Sequence, residues 1–318
     1  MLLGKLGGRG FKVSAKTESC TRGIWIWGAP TFVEERGMHV LLLDTEGSGS
    51  LQRNTTHDAK VFALVVLISS LFIYNSMGSI DETAISNLSV AAELSNHIAV
   101  FGKRNKDEAL ASITPHFLWL LRDFVLEMRE GNREITEAEY LQSRLDSFSR
   151  SNHERNRRVR DALTKFFRQR DLITMVRPVE DEEKLVKLDR LGMSDFRKPF
   201  REKAEVLKRK VFFECPIKEM NGKFVSGAVL AELLKSYVQA LNDGAVPDIS
   251  SAWESVVEGE REKFFERAKA MHSKRIKSIP VPAEAEELYG GLAEAREEAT
   301  ATLMRGFELG DTNADKKE

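Results

Sequence analysis

Between residues 24 and 176 the sequence alternates short apolar runs with helical stretches, and that alternation leaves few folds open. The runs are Ile24–Trp27, Met38–Asp44, Leu71–Asn75, His116–Arg122 and Leu172–Val176. Each is β-branched or apolar and is bounded by Gly, Pro, Asn or charge, as strands are. Helical patterns fill the intervals at His57–Ile68, Asp81–Val100, Thr136–Ser147 and Val159–Arg168. In the second of these, Ile85, Leu88 and Ala92 share one helical face. In the third, Thr136 followed by Glu139 forms a capping box. Strands that alternate with helices predict an α/β fold, a mostly parallel sheet flanked by helices.

After Val176 the strand signal fades. Glu180–Leu191 and Lys198–Lys210 are charged and helical. Ala228–Asn242 is amphipathic through Leu230, Leu233, Leu234, Val238 and Leu241, and Asn242-Asp243-Gly244 closes it. From Ile249 onward the pattern is helical, with Trp253, Val257, Phe264, Ala268 and Met271 on one stripe. Ile279-Pro280-Val281-Pro282 interrupts it, and a last helix is expected over Ala283–Gly306. These shifts predict an α/β domain over residues 1–244 and an all-helical segment over 245–318.

Composition excludes several classes. Lys plus Arg (48) balance Asp plus Glu (49) at a net charge of −1, which argues against a dedicated nucleic-acid binder. Cys20 and Cys215 make no disulfide framework, so reduced thiols and a cytoplasmic location are expected. Met1-Leu2-Leu3 gives way to Gly and Lys without the apolar core of a signal peptide. The longest apolar run, Val61 to Ile73, is broken by Ser69 and Ser70 and falls short of the ~20 residues a spanning helix needs. The last residues carry no prenylation box. No membrane segment is expected in this chain.

Leu41-Leu42-Leu43-Asp44-Thr45-Glu46-Gly47 is an apolar run that ends in D-x-x-G. It is similar to the strand-to-switch segment of GTP-binding domains, where the carboxylate lies near a phosphate-bound Mg²⁺ and the Gly amide faces the terminal phosphate. Its place at the C-terminal end of a strand suits a ligand site in an open α/β sheet. Thr21 precedes Asp44 in a polar loop that enters the first strand, and a loop hydroxyl can complete a Mg²⁺ shell. Arg122-Asp123 follows an apolar strand. A carboxylate there can accept hydrogen bonds from guanine N1–H and N2–H₂, a donor pair adenine lacks. The usual N-K-x-D motif for that task does not occur in the sequence.

Taken in order, Thr21-Arg22-Gly23-Ile24-Trp25-Ile26-Trp27, Leu43-Asp44-Thr45-Glu46-Gly47, Phe72-Ile73-Tyr74-Asn75-Ser76 and Trp119-Leu120-Leu121-Arg122-Asp123-Phe124 resemble the G domain of guanylate-binding proteins, large GTPases related to dynamin. The resemblance runs from residue 2 to about 245 and passes into the start of the family's helical middle domain. It implies a sheet like that of P-loop NTPases, GTP or GDP as ligand, Mg²⁺, and a nucleotide-dependent homodimer. By position, Ser19 and Glu46 match residues that hold the attacking water. Thr21 matches the Mg²⁺-binding threonine and Asp44 the aspartate near the metal. Gly47 matches the glycine at the γ-phosphate. Asp123 matches the guanine-reading aspartate, with Arg122 beside it. The segment from Arg177-Pro178-Val179 resembles the family's guanine cap.

The sequence departs from the family at its beginning. Leu2-Leu3-Gly4-Lys5-Leu6 resembles the helix after the family's phosphate loop, but no G-x-x-x-x-G-K-S/T loop occurs in the sequence. Lys5 does not substitute, because neither the glycines before it nor the hydroxyl after it are present. Hydrogen bonds to charged groups contribute ~1.5–3 kcal/mol each, so losing two costs roughly 3–6 kcal/mol, or ~10²–10⁴ in affinity. An arginine finger adds about 10³–10⁵ in rate where it operates. The residues as written are expected to bind GTP weakly and to hydrolyse it slowly, and a partial chain is the expectation. The alternative is a degenerate G domain that serves as a protein-interaction scaffold. Retention of Ser19, Thr21, Asp44, Glu46 and Asp123 argues against it.

Overall fold

The computed structural model describes residues 23–45, 55–88, 98, 110, 113–147, 154–185, 188–220 and 222–308. They form two compact units that divide between Lys218 and Glu219.

The first unit begins with β1 (Ile24–Ile26), β2 (Thr31–Val33), β3 (Met38–Val40) and β4 (Leu43–Thr45). β1 pairs antiparallel with β4, and β2 with β3. The expected single strand Met38–Asp44 is thus two, and β2 has no counterpart in the sequence reading. The cause is a length mismatch. Between the two ladders, residues 27–30 stand against residues 41–42, so the longer side must bulge. Pro30 has no N–H to give to a ladder, and it falls in that bulge. Trp27 N–H still reaches Leu42 C=O at 2.9 Å.

α1 (Thr55–Ile68) leads into β5 (Leu71–Met77), and α2 (Glu82–Asn87) follows. Asp81 caps α2, its carboxylate accepting from Ala84 N–H at 2.7 Å. Most of the rest of the expected Asp81–Val100 helix lies outside the described residues. β6 (His116–Arg122) matches its expected bounds. A two-residue ladder of β7 (Arg129–Glu130) with β8 (Arg133–Glu134) precedes α3 (Glu137–Ser147). The capping box is present. Glu139 N–H donates to Thr136 Oγ1 at 3.2 Å, and Thr136 N–H donates to Glu139 Oε2 at 2.8 Å. α4 (Glu154–Phe166) and β9 (Arg170–Thr174) follow.

The expected Glu180–Leu191 helix is only α5 (Glu182–Leu185) and a 3₁₀ turn at Leu188–Arg190. Glu182–Leu185 buries no residue, so little holds a longer helix in place. α6 (Lys198–Arg209) opens with Pro199 in its first turn and continues into a wider π-helical turn, Lys210–Glu214.

β5, β6 and β9 form a parallel sheet with β6 in the middle. Because alternate residues face opposite sides, the two faces differ in chemistry. Leu118, Leu120, Ile173 and Met175 form an aliphatic face with Ala204, Leu207 and Val211, and Val33 and Val40 of the hairpin join the same core. The other face is aromatic. Phe72, Tyr74, Phe117 and Trp119 interlock with Phe62 and Phe167. Trp119 is fully buried, and its indole N–H donates to Ser76 Oγ at 2.8 Å, so the polar end of the ring is not stranded.

The second unit begins with a tight ladder of β10 (Glu219–Met220) and β11 (Lys223–Phe224). α7 (Gly227–Asn242) starts at Ser226, whose hydroxyl accepts from Val229 N–H, and buries Val229, Leu233, Tyr237 and Leu241. It ends as expected. Gly244 has φ 76°, its N–H reaches Leu241 C=O at 3.3 Å, and Ala245 N–H reaches Ala240 C=O at 2.9 Å. That pair is a Schellman closure. Gly244 is therefore a helix end inside the second unit, and the division between units lies earlier than the Gly244 boundary expected from sequence. α8 (Ile249–Lys277), capped by Asp248, and α9 (Ala285–Glu308) pack along each other.

Candidate functional site

The C-terminal ends of β5, β6 and β9 make one edge of the parallel sheet, the edge where open α/β sheets hold ligands. β6 delivers Arg122 and Asp123 to it. Asp123 has φ 53° and is the one non-glycine residue with positive φ among the described residues. Asp enters this region more readily than most residues, at a cost of order 1 kcal/mol. The conformation persists because the backbone on both sides of Asp123 is held. Arg122 C=O accepts from Gly78 N–H at 2.8 Å. Phe124 N–H donates to Met175 C=O at 3.0 Å, and Met175 N–H donates to Leu121 C=O at 2.8 Å. The two flanking strands thus clamp the Arg122–Asp123 turn from opposite sides.

Arg122 is exposed, yet its direction is set. Its Nε donates to Asn75 Oδ1 on β5 at 2.8 Å. Arg177 follows two residues after Met175, exposed, with Glu182 at 3.4 Å. The segment after it is fastened by buried Val179 and by Arg197, whose N–H donates to Pro178 C=O at 2.9 Å. The Arg197 guanidinium also lies 3.4 Å from Glu180. Two guanidinium groups and one half-buried carboxylate therefore belong to one sheet edge. Such an edge can accept a planar donor pair at Asp123 and offers positive charge beside it.

Arg122, Asp123 and Arg177 are thus brought to the same edge. Asp44 belongs to the hairpin instead, half-buried on β4 opposite Trp25. Ser19, Thr21, Glu46 and Gly47 lie outside the described residues. Sequence reasoning gave no role to Asn75, Gly78 or Met175. The only signal for Asn75 was an amide side chain at the end of an apolar run, and backbone partners such as Met175 leave no mark in a sequence.

Among the described residues no cluster of three or more His, Cys, Asp or Glu could hold a metal ion. That does not conflict with Mg²⁺. This ion commonly takes one or two carboxylates and completes its shell with water and phosphate oxygens. Asp44 supplies an oxygen donor of that kind. No helix among the described residues is long and apolar enough to cross a membrane.

Comparison with known proteins gives a consistent picture. The family model described as guanylate-binding protein, N-terminal domain, matches residues 1–219, and that for the guanylate-binding protein C-terminal domain matches residues 221–313. The junction of these two matches falls where the compact units divide. The chain is 31% identical over 316 residues to human guanylate-binding protein 4, covering 95% of the chain and 49% of that protein. It is 30% identical to mouse guanylate-binding protein 3 over 317 residues, with 95% and 51% covered. It is also 30% identical to guanylate-binding protein 1 of Chlorocebus aethiops over 318 residues, with 96% and 53% covered. The chain spans about half the length of the curated relatives it matches.

Proposed function

The chain belongs to the guanylate-binding protein family, and from that premise we propose that the sheet edge at Asp123 selects guanine in a large GTPase. The observation that supports this most is the clamped left-handed turn at Asp123. In the proposed complex the Asp123 carboxylate accepts from guanine N1–H and N2–H₂. Adenine lacks that pair, and a buried acceptor left without its donors is costly, so one residue discriminates strongly. Arg122, directed by Asn75, and Arg177 flank the base and add positive charge.

Hydrolysis of GTP, Mg²⁺ dependence and stimulation by homodimer formation are parts of the same proposal. Ser19 and Glu46 orient the attacking water, and Gly47 presents its N–H to the terminal phosphate. Thr21 and Asp44 hold Mg²⁺, directly or through water, and the ion when bound offsets charge on the phosphate oxygens. The segment from Arg177 covers the base. What supports these assignments is the match of each residue to the family's motifs in order and spacing.

The test is Asp123→Asn in the full-length protein. Asn presents an N–H₂ where the carboxylate presented an oxygen, which suits the C2 carbonyl of xanthine. Preference should move from GTP towards XTP. Unchanged guanine selectivity would remove Asp123 from the role.

A further inference from the structure

Glu137 is the first residue of α3, and its Oε1 accepts three hydrogen bonds. Thr174 N–H, Thr174 Oγ1 and Lys203 Nζ each lie 2.7 Å away. The side chain is only 24% exposed. Three elements therefore meet on one carboxylate oxygen: the start of α3, the last residue of β9, and α6. The placement is favourable by itself, since a carboxylate at a helix N-terminus meets the positive end of the helix dipole.

What Glu137 holds matters more. Thr174 ends β9, and the next residue, Met175, is the one that brackets the Arg122–Asp123 turn. Met175 N–H donates to Leu121 C=O and Met175 C=O accepts from Phe124 N–H. An unbroken series of contacts thus runs from Glu137 through Thr174 and Met175 to both sides of Asp123. The opposite side of the turn has its own anchors, Gly78 N–H and Asn75. β9 is an outer strand of the parallel sheet, with β6 as its one strand partner among the described residues. Glu137 supplies from α3 a side-chain hold at the C-terminal end of that strand.

We propose that Glu137 is a positioning residue for base selection, setting the place of the Asp123 carboxylate through Thr174 and Met175. The proposal rests on Asp123 being the guanine-reading residue. Two hydrogen bonds from one base edge to one carboxylate demand tight alignment, and the second bond is the first to be lost when the carboxylate shifts. Hypoxanthine keeps N1–H and lacks the N2 amino group. The ratio of GDP to IDP affinity therefore reports on the second bond alone.

The experiment measures GDP and IDP dissociation constants for the full-length wild-type protein, Glu137→Ala, Glu137→Gln and Thr174→Val, with Asp123→Asn as control. Wild type should favour GDP over IDP by about tenfold or more, the worth of one hydrogen bond to a charged acceptor. Glu137→Ala should bring that ratio close to one. Glu137→Gln, whose amide oxygen still accepts from Thr174, should keep most of it. Thr174→Val removes one donor without shortening the strand and should lower the ratio in part. If Glu137→Ala does not fold, Thr174→Val decides. A ratio equal to wild type in Thr174→Val together with Glu137→Ala, or in Thr174→Val alone where Glu137→Ala is lost, overturns the proposal. Equal loss of GDP and IDP affinity would make Glu137 merely structural and also overturn it. An Asp123→Asn protein that keeps its guanine preference would instead refute the reading of Asp123 itself.

Discussion

Asn75 and Arg122 lie on adjacent parallel strands, and the Arg122 Nε donates to the Asn75 carboxamide oxygen at 2.8 Å across the ladder. Arg122 stands opposite Met77 in register, so its side chain reaches back along β5 to make this bond. An exposed arginine usually samples many rotamers. Here one nitrogen is committed to Asn75, which restricts where the guanidinium can go.

Asn75→Ala should therefore weaken nucleotide binding without unfolding the protein. Re-ordering the freed arginine on binding costs about 0.5–1.5 kcal/mol, which corresponds to about 2–10-fold in affinity. Titration with a fluorescent GDP analogue measures it, and the thermal midpoint should stay close to wild type. Full affinity in the variant would show that Arg122 needs no such direction.

The left-handed backbone at Asp123 separates two substitutions that both remove the carboxylate. Asn tolerates positive φ, so Asp123→Asn should keep the stability of wild type. Asp123→Ala should be less stable by about 1 kcal/mol, because Cβ without a local polar partner is strained there. Denaturant midpoints distinguish them. Equal stabilities would show that the turn relaxes freely.

Lys218 gives stability a rising dependence on pH. Its Nζ donates to Ser69 C=O at 2.9 Å and Ile113 C=O at 3.0 Å, and burial pulls the ammonium from its ordinary 10.5 down to about 7. Below pH 7 both folded and unfolded chains bind the proton, and the burial penalty is fully present. Between 7 and 10.5 the unfolded chain binds more protons, so this group's contribution to stability climbs with pH. Urea midpoints at pH 7 and at about pH 10 should show a gain for wild type relative to Lys218→Met. A difference between the two proteins that does not vary with pH would contradict the assignment.

Two glycines of α9 should respond oppositely to alanine. At Gly290 an added Cβ meets nothing within 4 Å, so Gly290→Ala should stabilise by about 0.5–1 kcal/mol through helix propensity. At Gly306 the added Cβ would lie 2.8 Å from Phe264 Cβ. Overpacking of this kind costs about 1–3 kcal/mol and outweighs the propensity gain. Thermal denaturation of the two variants should shift up and down respectively. Two shifts of the same sign would mean that α8 and α9 do not pack as described.

Much of the scaffold was legible because it is written in local patterns. β6 has the bounds its apolar run predicted, and Thr136 with Glu139 forms the expected capping box. The bulge that splits Met38–Asp44 was not, since it depends on how many residues stand across the ladder rather than on the strand itself. Arg122 and Asp123 were singled out by their place after an apolar strand and by a resemblance to a family motif. Their supports were not. Asn75 is one amide among many in the sequence, and Glu137 is one of two glutamates in the first turn of its helix. Only tertiary geometry shows that each ends beside the same turn.

The most direct measurement is a structure of the full-length protein bound to GDP. The account predicts guanine N1 and N2 within about 2.7–3.2 Å of the Asp123 carboxylate oxygens, with the turn at Asp123 unchanged. A base bound away from the C-terminal edge of β6, or one whose N1 and N2 face other acceptors, would contradict it.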